Sequence, residues 1–456
     1  MGNALLIDFG STNTKVTAVD LENAALLGTA DSFTTVDTDI NEGLAVALDR
    51  LFEQTGPLDF SLQLACSSAA GGLRMITSGL VPELTAEAAR TASFGAGAKV
   101  IRVYAFKLTP ADVAEIAGLR PDIFLLTGGI DGGDSACILH NAQAIAASPA
   151  DFPVVIAGNR GAAQDCARIL QGREVYLCEN VMPRLGVLNI EPVQGLIREL
   201  FLSRIIQAKG LSKVERLVEG ILMPTPSAAL RALELLARGT ARQGGLGELA
   251  AVDLGGATTD AYSIAAGLPK RDDTVLKGLP PPYVKRTVEG DIGMRYSAAG
   301  ILEATGPARL AALSGLTEEQ VEAMLRDIAA NPGLLPESPA QQALDFALAA
   351  AAVDIAMTRH AGCLEQVYTP LGPAYCQNGK DLREVQTLVV TGGAIVHHQK
   401  AAEIAAFGLY HPGRPGSLKP CKAAVYIDRK YILAAMGLLG EAYPEVALTI
   451  MKKELE

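Results

Sequence analysis

Two short polar turns hold the residues of this 456-residue chain that are best suited to binding phosphate. Each turn follows an apolar run, at positions 4–7 and 249–252. The turns and the residues that flank them comprise Asp8, Gly10, Ser11, Thr12, Asn13 and Lys15 in the first case, and Asp253, Gly255, Gly256, Ala257, Thr258 and Thr259 in the second. Small residues leave backbone N–H groups open to an anion, and the hydroxyl, amide and ammonium groups add donors. The spacing therefore predicts two phosphate-binding hairpin turns, with Lys15 on a phosphate oxygen.

A carboxylate stands at the end of each apolar run, directly before the turn. Mg²⁺ prefers a few carboxylates together with water and phosphate oxygens, so Asp8 and Asp253 are the predicted metal ligands. The candidate catalytic residues are Asp253, Lys15 and Glu289. Glu289 lies in the Gly-rich run 288–295, for which an ordinary strand-to-helix turn capped by Asp291 is the alternative interpretation.

A second motif, an apolar strand followed by Thr-Gly-Gly, also occurs twice, at 127–129 and 391–393. It follows the Asp-containing turn at a similar distance in both halves of the chain. This repeated order predicts two related halves that arose by duplication, with a boundary in the Gly-rich run 243–247.

The intervening sequence predicts the elements that position these motifs. Short apolar runs alternate with helical stretches between 122 and 183, which predicts a mainly parallel sheet. The regions 191–239 and 303–359 are predicted to be mostly helical, with a proline-rich break at 331–339. The region 271–283 is predicted to be an exposed loop.

The turns resemble the two phosphate loops of the superfamily that unites actin, the heat-shock chaperone ATPases and the sugar kinases. The run 390–394, with Gly392, Gly393 and Ala394, resembles the superfamily's adenosine motif, and 224–236 and 428–439 resemble its two connecting helices. The resemblance implies an α/β, actin-like ATPase fold with two RNase H-like domains around a cleft that binds ATP and Mg²⁺. It places the first domain at 1–247, with an α/β and helical insertion. The second domain would span 248–427, and a C-terminal connecting helix at 428–456 would return toward the first.

One position departs from the superfamily pattern. The heat-shock chaperone ATPases carry a Glu at the head of the first connecting helix. The corresponding position in this sequence is Met223. The residue that activates water is therefore left open among Asp253, Asp8 and Glu289.

Five segments together resemble a narrower family, the GlmL/MutL-type accessory proteins of adenosylcobalamin-dependent glutamate mutase (methylaspartate mutase). This family is unrelated to the DNA mismatch-repair protein that shares its name. They are IDFGSTNTK, LLTGGIDGGD, PTPSAAL, EGDIGMR and VVTGGAIVHH. The resemblance implies an ATP-dependent, chaperone-like reactivase whose partners are the subunits of a cobalamin-dependent mutase. None of the five histidines lies in the Asp-x-His-x-x-Gly pattern that ligates cobalt in such mutases, so directly bound cobalamin is not expected.

Two other functions are compatible with the same fold. A small-molecule kinase would show ATP consumption that depends strongly on its acceptor, but no acceptor-site signature is evident. An ATP-dependent activator of a radical dehydratase would need thiolate ligands for an iron–sulfur cluster in a shared loop, and the seven cysteines are scattered.

Composition excludes several further classes. With 39 Lys and Arg against 50 Asp and Glu, the net charge is −11, which argues against a nucleic-acid partner because such binding neutralises phosphates. The N-terminus lacks the basic region of a signal peptide, and no apolar run reaches the length of a membrane span. The unpaired cysteine spacing favours free thiols and a reducing, cytoplasmic location. The oligomeric state is not predicted.

Overall fold

The structure is a computed structural model that describes residues 2–10, 13–34, 40–68, 73–208, 221–370 and 372–455. Within these residues the strands are β1 (Asn3–Phe9), β2 (Asn13–Asp20), β3 (Ala25–Phe33), β4 (Phe60–Ser67), β5 (Arg74–Gly79), β6 (Lys99–Ala105), β7 (Ile123–Leu126), β8 (Val154–Ile156), β9 (Val175–Leu177), β10 (Ile221–Pro224), β11 (Leu249–Leu254), β12 (Thr259–Ile264), β13 (Thr274–Lys277), β14 (Val284–Glu289), β15 (Gly362–Thr369), β16 (Gly372–Gly379), β17 (Thr387–Thr391) and β18 (Ala424–Ile427).

The helices of the same residues are α1 (Ile40–Thr55), α2 (Glu87–Gly95), α3 (Pro110–Leu119), α4 (Ala136–Ala146), α5 (Arg160–Ile169), α6 (Glu191–Ala208), α7 (Thr225–Arg238), α8 (Ala298–Thr305), α9 (Pro307–Ser314), α10 (Glu318–Ala330), α11 (Pro339–Ala361), α12 (Gly393–Val396), α13 (Ala401–Ala406), α14 (Leu433–Gly440) and α15 (Pro444–Glu454). The break predicted at 331–339 separates α10 from α11. A Ser338 capping box begins α11, because the Ser338 hydroxyl accepts from the Gln341 N–H while the Gln341 side chain accepts from the Ser338 N–H.

Two sheets of identical topology form the frame of the molecule. The first has the order β3-β2-β1-β4-β10 and the second β14-β12-β11-β17-β18. In each, the first three of these strands are antiparallel to one another, and the last two run parallel to the central strand. The two Asp-containing turns occupy the same place, between β1 and β2 and between β11 and β12. This repeated topology confirms the predicted α/β, actin-like fold with two related RNase H-like sheets.

An inserted parallel sheet lies between β4 and β10 in the chain. Its order is β6-β5-β7-β8-β9, and every neighbouring pair is parallel. Its central strands are buried along their whole length because helices cover both faces. The parallel sheet predicted between 122 and 183 is therefore present, with two further strands before it.

The first Thr-Gly-Gly run is not equivalent to the second, which corrects one part of the predicted duplication. Thr127 follows β7 in the inserted sheet, whereas Thr391 ends β17 in the second frame sheet. The position equivalent to β17 in the first sheet is β4. The duplication is therefore supported by the hairpins and the strand order, and the first Thr-Gly-Gly match belongs to the insertion.

Two short strands were missed by the sequence interpretation. The region predicted to be mostly helical contains β10, and the exposed loop predicted at 271–283 contains β13, which pairs with β16. A four-residue strand carries too little periodicity to be distinguished from its surroundings, and its sheet partners lie far away in sequence.

One core joins the two frame sheets through α7, α14 and α15. A Cβ at Gly437 of α14 would lie 1.8 Å from the carbonyl oxygen of Ala228 in α7, so glycine is needed for this close approach. The connecting helix predicted at 428–439 begins only at Leu433, and α15 follows it. The domain boundaries at 247 and 427 stay predictions.

Candidate functional site

The first turn brings Asp8 and Lys15 opposite each other on neighbouring strands. They are register partners in the β1–β2 hairpin, and the Gly10 N–H closes the turn by donating to the Asn13 carbonyl over 3.0 Å. The Asn13 side chain donates to the Asp31 carboxylate at 3.2 Å. Ser11 and Thr12 lie outside the described residues, so their role in binding phosphate stays a prediction.

The second turn is closed in the same way, by the Gly255 N–H donating to the Thr258 carbonyl at 3.0 Å. Among the residues that the structure describes, the consecutive N–H groups of Gly256, Ala257 and Thr258 donate to no other group. Successive unpaired N–H groups in a tight turn form a concavity suited to an anion. The second turn therefore has the donors that phosphate binding requires.

The Gly-rich run after β14 is hydrogen-bonded to the backbone of this turn. The Met294 and Arg295 N–H groups donate to the carbonyls of Gly255 and Gly256 at 3.1 and 2.8 Å. The Thr259 hydroxyl donates to the Ile292 carbonyl at 2.8 Å. The carbonyls of Gly255 and Gly256 are thus bound by the segment after β14, whereas the three N–H groups of the turn stay unpaired among the described residues.

Three carboxylates, from Asp8, Asp253 and Asp428, lie close enough to influence one another's charge across the two halves. Asp8 and Asp428 are buried, at 5% and 1% exposure. Burial, and then the neighbouring Asp260, raise the pKa of Asp253 to about 7, although Lys15 opposes the shift. Among the described residues, the Asp253 side chain has no hydrogen-bonding partner.

A bound cation would relieve this concentration of negative charge, so Asp8 and Asp253 fit the predicted Mg²⁺. Within the described ranges, no three His, Cys, Asp or Glu side chains are grouped so that they alone could hold a metal ion. Mg²⁺ differs from zinc in this respect, because it keeps waters and substrate phosphates as most of its ligands.

Thr225 is a site residue that sequence reasoning missed. Its hydroxyl donates to Asp8 Oδ1 at 2.5 Å, and the Cys66 thiol donates to the same oxygen at 3.5 Å. Thr225 begins α7, whereas Met223 is buried within β10. The head of the first connecting helix is therefore Thr225, which corrects the alignment with Met223. The Thr-Pro pair at 225–226 was the available signal, because proline favours the first turn of a helix.

Lys15 reaches across to the loop that follows β18. Its Nζ lies 3.2 Å from the centroid of the Tyr431 ring and 3.8 Å from Asp8 Oδ2. Nothing in the local sequence around Tyr431 indicates this contact, because it depends on how the two frame sheets face each other.

The Thr-Gly-Gly run at 391–393 packs against the second turn. Thr391 is the register partner of Asp253, and its hydroxyl donates to Asp428 Oδ2 at 3.1 Å. Gly392 has φ 102°, and a Cβ there would lie 2.3 Å from the Leu254 carbonyl oxygen. Gly393 and Ala394 begin α12 directly afterwards. The three predicted nucleotide contacts therefore lie at the same end of the sheet as Asp253.

Asp428 is a second missed residue, for which a signal existed. Like Asp8 and Asp253, it stands at the end of an apolar strand. Its carboxylate accepts from the Ile432 and Leu433 N–H groups at 2.9 and 3.2 Å, and so caps α14.

Glu289 ends β14 beside the second turn, as the register partner of Thr259. Its carboxylate accepts a hydrogen bond from Arg359 at 2.5 Å. Burial raises the pKa of Glu289, and Arg359 opposes that shift. The structure thus pairs Glu289 with an arginine, and its catalytic role stays a prediction.

Arg286 connects the second hairpin to the inserted domain. Its guanidinium contacts Asp260, the register partner of Asp253, at 2.6 Å and donates to the Phe94 carbonyl of α2 at 2.8 Å. Both charged side chains are buried. The ion pair lies within the second sheet, between β12 and β14, and the hydrogen bond from Arg286 to Phe94 connects it to the insertion.

Comparisons with known proteins identify the family. The model of the MutL protein family matches residues 4–455. Protein MutL of Clostridium tetanomorphum is 46% identical over 455 residues, which cover 99% of this chain and 98% of that protein. No helix of the described residues is long and apolar enough to cross a membrane.

Solved structures with similar architecture are more distant. Nucleotide-free acetone carboxylase matches with a TM-score of 0.41 and 13% identity, over 96% of this chain and 70% of that chain. The nucleotide-free diol dehydratase-reactivating factor matches with a TM-score of 0.36 and 11% identity, over 97% and 100% of the two chains. Because the family model and the 46% identical relative each span almost the whole chain, this chain belongs to the MutL protein family.

Proposed function

We propose that the chain binds Mg-ATP between its two hairpin turns and hydrolyses it slowly. The observation that carries this proposal is the set of three unpaired N–H groups at Gly256–Thr258, in the turn that follows Asp253, whose carboxylate lies close enough to Lys15 and Asp8 for their charges to shift its pKa. Lys15 would neutralise a phosphate oxygen, and the N–H groups would orient the phosphates. Gly392, Gly393 and Ala394 would contact the adenosine.

Asp8 and Asp253 would hold the Mg²⁺, which would supply charge neutralisation for the phosphates. Thr225 and Cys66 keep Asp8 in one orientation through their hydrogen bonds. Asp253 is one candidate for accepting a proton from water, because its carboxylate has no hydrogen-bonding partner among the described residues. Glu289, oriented by Arg359, is the second candidate for this step.

We further propose that nucleotide binding serves a chaperone-like role in the cytoplasm, with the subunits of an adenosylcobalamin-dependent mutase such as glutamate mutase as partners. Membership of the MutL family and the motif resemblance support this role. ATP would favour the state in which both turns contact the phosphates, and hydrolysis would release that state, so the two halves would change their relative position. The protein itself would bind no cobalamin.

The test is ATP binding by calorimetry and Mg²⁺-dependent hydrolysis, with Lys15→Ala and Asp253→Asn. Loss of a charged hydrogen bond costs about 1.5–3 kcal/mol, so ATP affinity or turnover should fall roughly tenfold to a hundredfold. Lys107→Ala and Asp272→Asn, both on exposed residues, are the matched controls. Equal behaviour of all four variants would refute the site.

The partner is tested separately by a pull-down of purified mutase subunits with and without ATP. Retention that depends on the nucleotide supports the accessory role. ATP turnover that instead rises by orders of magnitude with a small-molecule acceptor would indicate a kinase.

A further inference from the structure

The contact between Lys15 and Tyr431 joins the two halves at the proposed phosphate site. Lys15 belongs to the first hairpin, and Tyr431 to the loop between β18 and α14. The Lys15 Nζ lies 3.2 Å from the ring centroid, well within the distance at which an ammonium is attracted to the face of an aromatic ring.

The backbone of Tyr431 is in a conformation that bulky residues rarely adopt. Its φ is 54°, and Tyr431 is one of four non-glycine residues with positive φ in the described ranges. A residue stays in this region only where its surroundings hold it there, and such residues concentrate at functional sites. The backbone conformation of Tyr431 is thus of the kind found at functional sites.

The surrounding loop holds Tyr431 by one backbone hydrogen bond to Asp428, which is itself fixed by further hydrogen bonds. The Tyr431 N–H donates to the Asp428 carbonyl at 3.0 Å, and the Asp428 carboxylate accepts from the two N–H groups that begin α14. The same carboxylate accepts from Thr391, which precedes Gly392. The ring is thus positioned by the segment that would also contact the adenosine.

Lys15 has a second partner beside the ring, the Asp8 carboxylate, with which it forms a long ion pair. Asp8 Oδ2 lies 3.8 Å from Nζ, and the lysine stem has four flexible bonds. If the ammonium moved fully onto Asp8, Lys15 would no longer be free to bind a phosphate, and Asp8 would no longer be free to bind Mg²⁺. The ring face attracts the ammonium without using a carboxylate, and so limits how closely Lys15 pairs with Asp8.

We propose that Tyr431 is a positioning residue, whose ring holds the Lys15 ammonium toward the nucleotide phosphates and keeps its 3.8 Å ion pair with Asp8 from closing further. This inference rests on the proposed ATP site. It assigns to Tyr431 an effect on ATP affinity that acts through Lys15 and depends on the aromatic ring rather than on the hydroxyl.

The experiment is a double-mutant cycle on the full chain, with ATP as the probe in calorimetry. We expect Tyr431→Leu to weaken ATP binding about tenfold, the loss that a desolvated cation–π contact accounts for. Tyr431→Phe should bind within about twofold of the unchanged protein, because its ring is retained. Adding Tyr431→Leu to Lys15→Ala should cause no further loss, because residues that act through one another are not additive.

The outcomes separate this inference from the proposed function. If the unchanged protein binds no ATP, the proposed site itself falls. If it binds ATP but Tyr431→Leu binds equally well or more tightly, or if the two losses add, Tyr431 does not position Lys15. A Phe variant as weak as the Leu variant would assign the effect to the hydroxyl and also overturn the inference. Tyr368→Leu, at an exposed tyrosine, is the control, and melting temperatures identify any variant that fails to fold.

Discussion

Thr225 donates its hydroxyl hydrogen to Oδ1 of Asp8 across 2.5 Å, so the first residue of α7 directly holds the carboxylate at the end of β1. The contact joins a connecting helix to the proposed metal ligand. In the heat-shock chaperone ATPases, as the resemblance implies, a Glu stands at this helix head. A hydroxyl cannot accept a proton from water as a carboxylate does, so Thr225 is suited to orienting Asp8 rather than to base catalysis.

The first prediction concerns this hydrogen bond. Thr225→Val keeps the shape of the side chain but removes the donor, so Asp8 should lose its fixed orientation. Because partners that orient metal ligands contribute strongly to affinity, half-maximal ATP turnover should require roughly tenfold more Mg²⁺. Thr225→Ser restores a hydroxyl and should restore the Mg²⁺ dependence. An unchanged Mg²⁺ titration for Thr225→Val would show that Asp8 does not depend on Thr225.

The second prediction concerns the buried ion pair of Arg286 and Asp260. Arg286→Met leaves a carboxylate buried without its partner, which costs about 3–5 kcal/mol. The denaturation midpoint should therefore fall clearly. Arg168→Met removes an exposed pair with Asp165, and should change stability by less than about 1 kcal/mol. Similar midpoints for the two variants would contradict the structural role assigned to Arg286.

Comparison of Asp8 with Asp253 shows what local sequence could predict. A few consecutive residues are enough to predict both acids, both turns and Lys15, because a strand, a carboxylate and a small-residue turn form one local unit. The α/β class and the repeated frame follow from those units. The contact of Asp8 with Thr225 and the contact of Lys15 with Tyr431 each join segments more than 200 residues apart, and no local pattern encodes such contacts. Glu289 was selected by its Gly-rich surroundings, but its pairing with Arg359 is a tertiary contact.

The third prediction is a pH dependence of stability that comes from Lys380. Its side chain is fully buried and donates to the carbonyls of Pro282 and Tyr283 at 2.9 and 2.8 Å. Burial, with Lys285 as a further cause, lowers the pKa of Lys380 to about 6. In an unfolded chain the ordinary lysine pKa is about 10.4. Between these values the unfolded chain holds a proton that the folded protein lacks.

Stability should therefore rise with pH from about 6 to 10, by at most about 1.4 kcal/mol per pH unit from this group. Below the folded pKa both states are protonated, and this slope disappears. Denaturation midpoints measured at pH 7 and 9 should differ less in Lys380→Met than in the unchanged protein. Lys277→Met, at an exposed lysine, should keep the original difference. An identical pH difference in Lys380→Met would show that Lys380 is charged in the folded state.

The fourth prediction uses two adjacent glycines of the same motif as each other's control. Gly392 has φ 102°, and a Cβ there would come within 2.3 Å of the Leu254 carbonyl oxygen, one residue before the second turn begins. A Cβ at Gly393 would meet no atom within 4 Å. Gly392→Ala must therefore shift β17 away from β11 or distort the turn that carries the unpaired N–H groups, whereas Gly393→Ala adds a helix-favouring residue at the start of α12.

We expect Gly392→Ala to lose ATP binding and to melt at a lower temperature. Gly393→Ala should keep the fold and the melting temperature, because a methyl group fits there. If both variants bind ATP normally, the Thr-Gly-Gly segment does not shape the nucleotide site; if both lose it while only Gly392→Ala melts earlier, Gly393 contacts the nucleotide itself.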